Sequence, residues 1–136
     1  MADWKCEFPE KLFYAWGGYP PTRIVALLNE RYGLQMRAEL VLQKTEQFYL
    51  DSLPNLKAVP EVLEHIEASH GRVPFAIVSG GTRKTVEASL AALGLLEKFQ
   101  VFVCAGDYQK AKPDPEPFLM AAARLGVRPE RCVVLE

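Results

Sequence analysis

Val73-Pro74-Phe75-Ala76-Ile77-Val78-Ser79-Gly80-Gly81-Thr82 is the stretch on which the reading of this chain turns. An apolar run breaks into two glycines flanked by hydroxyls where a helical pattern begins, which predicts a strand feeding a helix N-terminus. Backbone N–H groups at such a terminus lack intrahelical partners and have the positive end of the helix dipole behind them. They attract anions, and glycine lets the backbone come close to one. Ser79 adds a donor at the strand's carboxyl end, where open parallel sheets bind ligands.

Working outward, the pattern alternates. Downstream, Val86, Leu90 and Leu93 mark a helix from Thr82, closed by Gly94, and Gln100–Ala105 reads as a second strand. Gly106–Pro115 is a basic loop with two prolines, followed by a helix with Phe118, Ala122 and Leu125 on its apolar face and Gly126 at its end. The apolar run Cys132–Glu136 reads as a third strand. Upstream, Pro60 starts a helix that turns Val62, Leu63 and Ile66 inward. Such alternation predicts βαβ units in a parallel sheet covered by helices, an α/β fold. The polar turn Asp51-Ser52-Leu53-Pro54-Asn55 reads as a hinge. Before it lie only helices: a short one over Pro9–Trp16 ended by Gly17-Gly18, one carrying Ile24, Leu27, Leu28 and Tyr32 and closed by Gly33, and one over Arg37–Leu50 expected to bury Leu40, Val41 and Phe48.

With 136 residues, 49% hydrophobic and 24% charged, the chain has room for one compact domain or a modest domain with an appendage. A formal net charge of −1 supplies no electrostatic reason for nucleic acid or an acidic membrane as partner, so a small-molecule site is expected. The three cysteines, Cys6, Cys104 and Cys132, are odd in number and far apart, with neither a disulfide framework nor zinc spacing. The first residues lack an apolar signal core and no apolar run is long enough to span a bilayer, which leads to the expectation of a reducing, cytoplasmic setting.

Three features in order, the apolar strand with Ser79-Gly80-Gly81, then Lys112-Pro113-Asp114-Pro115-Glu116-Pro117-Phe118, then Leu125-Gly126-Val127-Arg128-Pro129-Glu130-Arg131-Cys132-Val133-Val134-Leu135-Glu136, resemble the haloacid dehalogenase-like (HAD) phosphohydrolases. The likeness is to the branch that includes β-phosphoglucomutases and sugar-phosphate phosphatases, and Gly17-Gly18-Tyr19-Pro20-Pro21-Thr22-Arg23-Ile24 is similar, more loosely, to the helical cap of that branch. The resemblance implies a Rossmann-like parallel sheet core, here incomplete, over residues 54–136, with a small α-helical cap over residues 1–53. It implies transfer of a phosphoryl group from a small phosphorylated metabolite, such as a sugar phosphate, to an aspartate, then attack by water, with Mg2+ as cofactor. Such transfers are catalysed mainly by positioning and charge stabilisation. By the same resemblance Ser79 and the N–H of Gly80 would bind the phosphoryl group, and Lys112 would pair with nucleophile and phosphate. Arg23 would meet the substrate from the cap, and Glu136 would be the first of two acids holding magnesium.

The family's D-x-D-[GST]-[TV] signature is absent: neither Asp3-Trp4-Lys5 nor Asp51-Ser52-Leu53 matches it. The chain is therefore expected to be a truncated piece that is inactive on its own. A non-catalytic α/β module binding a phosphorylated ligand or a protein stands beside that reading. Each residue also has an ordinary alternative. Ser79 serves as a helix cap, Lys112 as a solvated loop lysine like its neighbour Lys110, and Arg23 as a surface arginine. Pro113 favours Lys112 over Lys110 because it restricts the preceding backbone. Asp114 and Glu116 suit the helix N-terminus better than a metal, and a lone carboxylate such as Glu136 is a poor magnesium site. Trp16, Tyr19, Phe48 and Tyr49 are candidates for a specificity pocket beneath the cap, with core packing as the ordinary reading of aromatics at helical spacing, and Asp107, His65 and His70 receive no role.

Overall fold

The structure is a computed structural model that describes residues 6–16, 19 and 21–135. The Gly17-Gly18 helix stop and Glu136 therefore lie outside the described residues. The chain divides into two compact units, Met1–Tyr49 and Leu50–Glu136.

The first unit is helical: α1 (Glu10–Ala15), α2 (Pro21–Tyr32) and most of α3 (Ala38–Ser52). Pro21 opens α2, where its fixed φ suits the helix and its missing N–H has no intrahelical partner to lose. Val25 and Leu28, three apart on one face, are buried in a cluster with Cys6, Met36 and Val41. Gly33 takes the left-handed conformation (φ 63°) that turns the chain out of α2. The link to α3 is held by one side chain: Asn29 Nδ2 donates to the Met36 carbonyl at 2.9 Å, and the Met36 N–H donates to Asn29 Oδ1 at 2.8 Å. Of the α3 residues expected inside, Val41 is buried, but Leu40 is exposed and Phe48 is 77% exposed. Phe48 lies on the Val41 stripe seven residues on, a rise of roughly 10 Å. That carries it beyond the cluster, which α3 meets at Ala38 and Val41.

In the second unit a short 3₁₀ turn, Leu53–Asn55, packs against α5 (Arg83–Ala92). α4 (Pro60–Ser69) has no fully buried residue: Leu63 and Ile66 are half-buried and Val62 is exposed. β1 (Ala76–Val78) and β2 (Val101–Val103) pair in parallel, Ala76 with Val101, Ile77 with Phe102 and Val78 with Val103. α6 (Glu116–Leu125) packs on both strands. Its buried residues, Pro117, Ala121 and Ala122, are small, so the helix comes close to the fully buried Val103 and Cys104. Gly126 ends α6 in the left-handed conformation (φ 68°).

Both strands are shorter than the apolar runs that contain them, for local reasons. Pro74 has no N–H to give to a ladder, and the N–H of Phe75 goes to the Gln100 side chain at 2.6 Å. At the other end the N–H of Cys104 goes to the Asp107 carboxylate at 2.8 Å, which stops β2. The expected third strand is not formed among the described residues. Cys132 is extended (φ −100°, ψ 145°), but Val133 is 86% exposed and Leu135 is exposed. Extended backbone becomes a strand only where a neighbour supplies the ladder.

Leu28, with no exposed surface, and Phe48 separate core from surface. Leu28→Ala is expected to lower the unfolding free energy by about 2–5 kcal/mol through lost burial and the cavity left behind. Phe48→Ala is expected to change it by no more than about 0.5 kcal/mol. Urea-unfolding midpoints at unchanged slope read both, and similar losses would contradict the burial described.

Candidate functional site

The parallel ladder runs past the strands into the two turns that follow them. The N–H of Ser79 donates to the Val103 carbonyl at 2.9 Å, and the N–H of Ala105 donates to the Gly81 carbonyl at 2.9 Å. Within the first turn Ser79 Oγ accepts the N–H of Gly81 at 3.1 Å. That bond uses an oxygen lone pair and not the hydroxyl proton. A Cβ at Gly81 would lie 3.3 Å from Thr85 Oγ1 and 3.4 Å from Ser79 Oγ, a tight fit that glycine relieves. Gly80 is exposed, and a Cβ built on it meets nothing within 4 Å. The cap of α5 is Thr82, whose hydroxyl oxygen accepts the N–H of Thr85 at 3.3 Å. Thr82 thus does the capping that Ser79 was a candidate for, and Ser79 shapes the turn.

The second turn opens the loop that carries the lysines. Tyr108 donates its hydroxyl to the Ser79 carbonyl at 3.3 Å, which brings this loop to the Ser79 turn. Asp107 is its hub. One carboxylate oxygen accepts the Cys104 N–H at 2.8 Å and Arg83 at 2.9 Å, with Arg124 3.6 Å away. Both guanidiniums also donate to the Phe102 carbonyl, at 3.2 and 2.9 Å. Exposed ion pairs contribute little singly, so the bond to the Cys104 amide, which ties the side chain to the end of β2, is the decisive one. That bond chiefly holds the Asp107 carboxyl below the usual carboxylate range; burial opposes it, and Arg124 and Arg83 add lesser pulls in the same direction as the bond. Burial pushes the neighbouring Cys104 thiol up.

The two loop lysines differ. Lys110 is exposed, its Nζ 4.0 Å from Asp114. Lys112 is half-buried, its Nζ 5.9 Å from the centre of the Phe118 ring, and it precedes a cis peptide bond to Pro113. Of the residues singled out in the sequence, Ser79, Gly80 and the Lys112 loop belong to connected turns at the carboxyl ends of the strands. Arg23 belongs to the first unit, where its guanidinium lies 4.5 Å from the centre of the Tyr19 ring. Asp107, Tyr108, Arg83 and Arg124 escaped the sequence reading. The signal for Asp107 was local, an Asp just past a strand end, where such residues bond nearby backbone; the arginines lie too far along the chain for spacing to reveal them.

Magnesium takes a shell of oxygens, usually carboxylates, phosphates and water. Among the described residues no three His, Cys, Asp or Glu side chains gather, and Asp107 is already held by two guanidiniums. The described residues alone therefore do not fit a magnesium site. Nor is any helix among them long and apolar enough to cross a membrane.

A family model described as haloacid dehalogenase-like hydrolase matches residues 12–136. The chain belongs to the haloacid dehalogenase-like hydrolases. Among HAD-like relatives, the fructose-1-phosphate phosphatase YqaB of Escherichia coli (strain K12) is 34% identical over 137 positions, covering 100% of this chain and 72% of that protein. Hexitol phosphatase A of the same organism is 33% identical over 95 positions, covering 70% of this chain and 41% of that protein. A solved structure of a provisionally assigned β-phosphoglucomutase from Thermotoga maritima superposes with a TM-score of 0.65 at 24% identity, over 97% of this chain and 62% of that one. It shares the fold. The two-stranded parallel sheet with its helices is thus an incomplete Rossmann-like α/β core of the HAD type. The chain spans from 41% to 72% of the lengths of these relatives.

Because its folded-state acidity is increased, Asp107 stabilises the fold fully above its ordinary pKa of 3.8, and that contribution fades as pH falls through the lower folded value. Asp107→Asn is therefore expected to be less stable than wild type at neutral pH, with the gap closing as pH is lowered below about 4. Thermal unfolding of both proteins across that range checks it. A gap that widens in acid would contradict the role of the ionised Asp107 carboxylate as acceptor of the Cys104 amide.

Proposed function

We propose that this chain carries the phosphate-recognition face of a phosphohydrolase acting on a small phosphorylated metabolite, a sugar phosphate in particular. The observation that carries the reading is the joining of the Ser79 turn to the Lys112 loop, through the ladder and through Tyr108, at the carboxyl ends of two parallel strands. Likeness to a fructose-1-phosphate phosphatase and a hexitol phosphatase supports the substrate class.

In this reading Ser79 gives its hydroxyl proton, and Gly80 its N–H, to phosphoryl oxygens that meet the open space at Gly80. The Lys112 ammonium offsets the charge on the same group. Phosphoryl transfer needs such positioned donors more than it needs covalent help from the protein. Arg23 is proposed as a substrate contact and Glu136 as a magnesium ligand, both on family likeness. The aspartate that accepts the phosphoryl group is not supplied by these 136 residues, which contain no D-x-D-[GST]-[TV]. The three free thiols support a reducing, cytoplasmic setting. The missing signature also supports a second reading, a non-catalytic module that binds a phosphorylated ligand or a protein. An in-frame D-x-D-[GST]-[TV] upstream of residue 1 would decide for the enzyme.

The 136-residue chain is expected to bind inorganic phosphate and to release none from fructose 1-phosphate with magnesium present. Ser79→Ala and Lys112→Met should each weaken phosphate binding about tenfold, the loss expected for one charge-assisted hydrogen bond. Titration calorimetry and a phosphate-release assay read the two. Phosphate release by this chain would overturn the missing nucleophile. Absent phosphate binding, or binding that neither substitution weakens, would overturn the site.

A further inference from the structure

We infer that Glu116 is the positioning residue of this site, its carboxylate setting where the Lys112 ammonium stands. The inference rests on the phosphate reading of Ser79 and Lys112.

Glu116 opens α6, and its side chain turns back to the loop. One carboxylate oxygen accepts the N–H of Gln109 at 2.9 Å and the other accepts the N–H of Lys110 at 3.0 Å. Two successive backbone amides pointing the same way form a small concave anion site, and here a carboxylate of the chain fills it. The N–H of Glu116 in turn donates to Asp114 Oδ1 at 3.0 Å. The segment from Gln109 to Glu116 is thereby closed on itself with Lys112 inside it. Closure is completed on the upstream side by Asp107, which grips the Cys104 amide. Since α6 packs on both strands, Glu116 refers the loop to the sheet whose turn holds Ser79.

A lysine ends in a compact charge on a flexible four-carbon stem. Such a group stabilises a phosphoryl group well only when its backbone origin is fixed beforehand, because a donor that must be ordered at the moment of binding gives back part of what it contributes. Among the described residues no other side chain bonds the Gln109 and Lys110 amides just upstream of Lys112, so the fixing falls to Glu116.

The test is phosphate binding by the 136-residue chain, read by calorimetry in single and double variants. Glu116→Gln preserves size and one acceptor but loses the charge and the second acceptor. It should weaken binding about three- to tenfold and speed hydrogen exchange at the Gln109 and Lys110 amides. In a Lys112→Met background the same change should weaken binding less than twofold, since there is no ammonium left to misplace. In a Ser79→Ala background it should retain its full effect. Glu116→Asp keeps the charge at the helix start and withdraws the carboxylate by one methylene; it should behave as Glu116→Gln does and serves if the latter fails to fold. Equal losses with and without Lys112 would show general weakening of the structure and overturn the inference while leaving the phosphate reading intact. So would unchanged binding in both Glu116 variants. If Lys112→Met binds phosphate as wild type does, the reading of the site fails, and this inference with it.

Discussion

Backbone hydrogen bonds beyond the strands proper tie the second unit together. β1 and β2 have three residues each, too few to hold a sheet by themselves. Their pairing is extended at one end from Gln100 to Phe75 and at the other into the turns, from Ser79 to Val103 and from Ala105 to Gly81. The same bonds that extend the sheet bring together the two segments that carry the hydroxyl and the ammonium. The pairing that joins the strands thus also joins the two turns. A change that splays the strands moves Ser79 and the Lys112 loop apart at the same time.

Around this ladder, charge is used for order more than for net attraction. Asp107, Arg83 and Arg124 are partly solvated, so their Coulombic energy is modest. Their bonds go largely to main-chain groups, the Cys104 amide and the Phe102 carbonyl. The three side chains draw α5, α6 and the loop after β2 onto one point at the end of β2. Small residues on the inner face of α6 make the approach possible, and Gly81 does the same for the turn.

Much of this was legible in the sequence, for identifiable reasons. Helix starts at Pro21 and Pro60 and stops at Gly33 and Gly126 carry their own backbone constraints, so they survive in any context. The βαβ alternation and the strand-to-glycine break at Ser79 were equally plain. Burial was less so: Val41 and Phe48 share a helical stripe, and only the extent of the cluster beneath them decides which is covered. Cys132–Leu135 has the composition of a strand, but composition cannot supply a neighbour. At the site, Ser79 and Lys112 stood out by motif. Glu116 was legible within the same motif as an acid at a helix start, but its grip on the Gln109 and Lys110 amides was not, nor was that of Asp107 on Cys104, because holding amides several residues away leaves no periodic trace.

Clamps that grip the main chain have an evolutionary corollary. Asp107 and Glu116 bind N–H groups that every residue except proline possesses, so the course of the loop does not depend on which side chains stand at positions 109 and 110. Exchanges of side chain at those positions, proline aside, leave the two bonds to Glu116 in place. Selection for a different partner molecule can then act on the loop's outer surface without re-inventing its geometry.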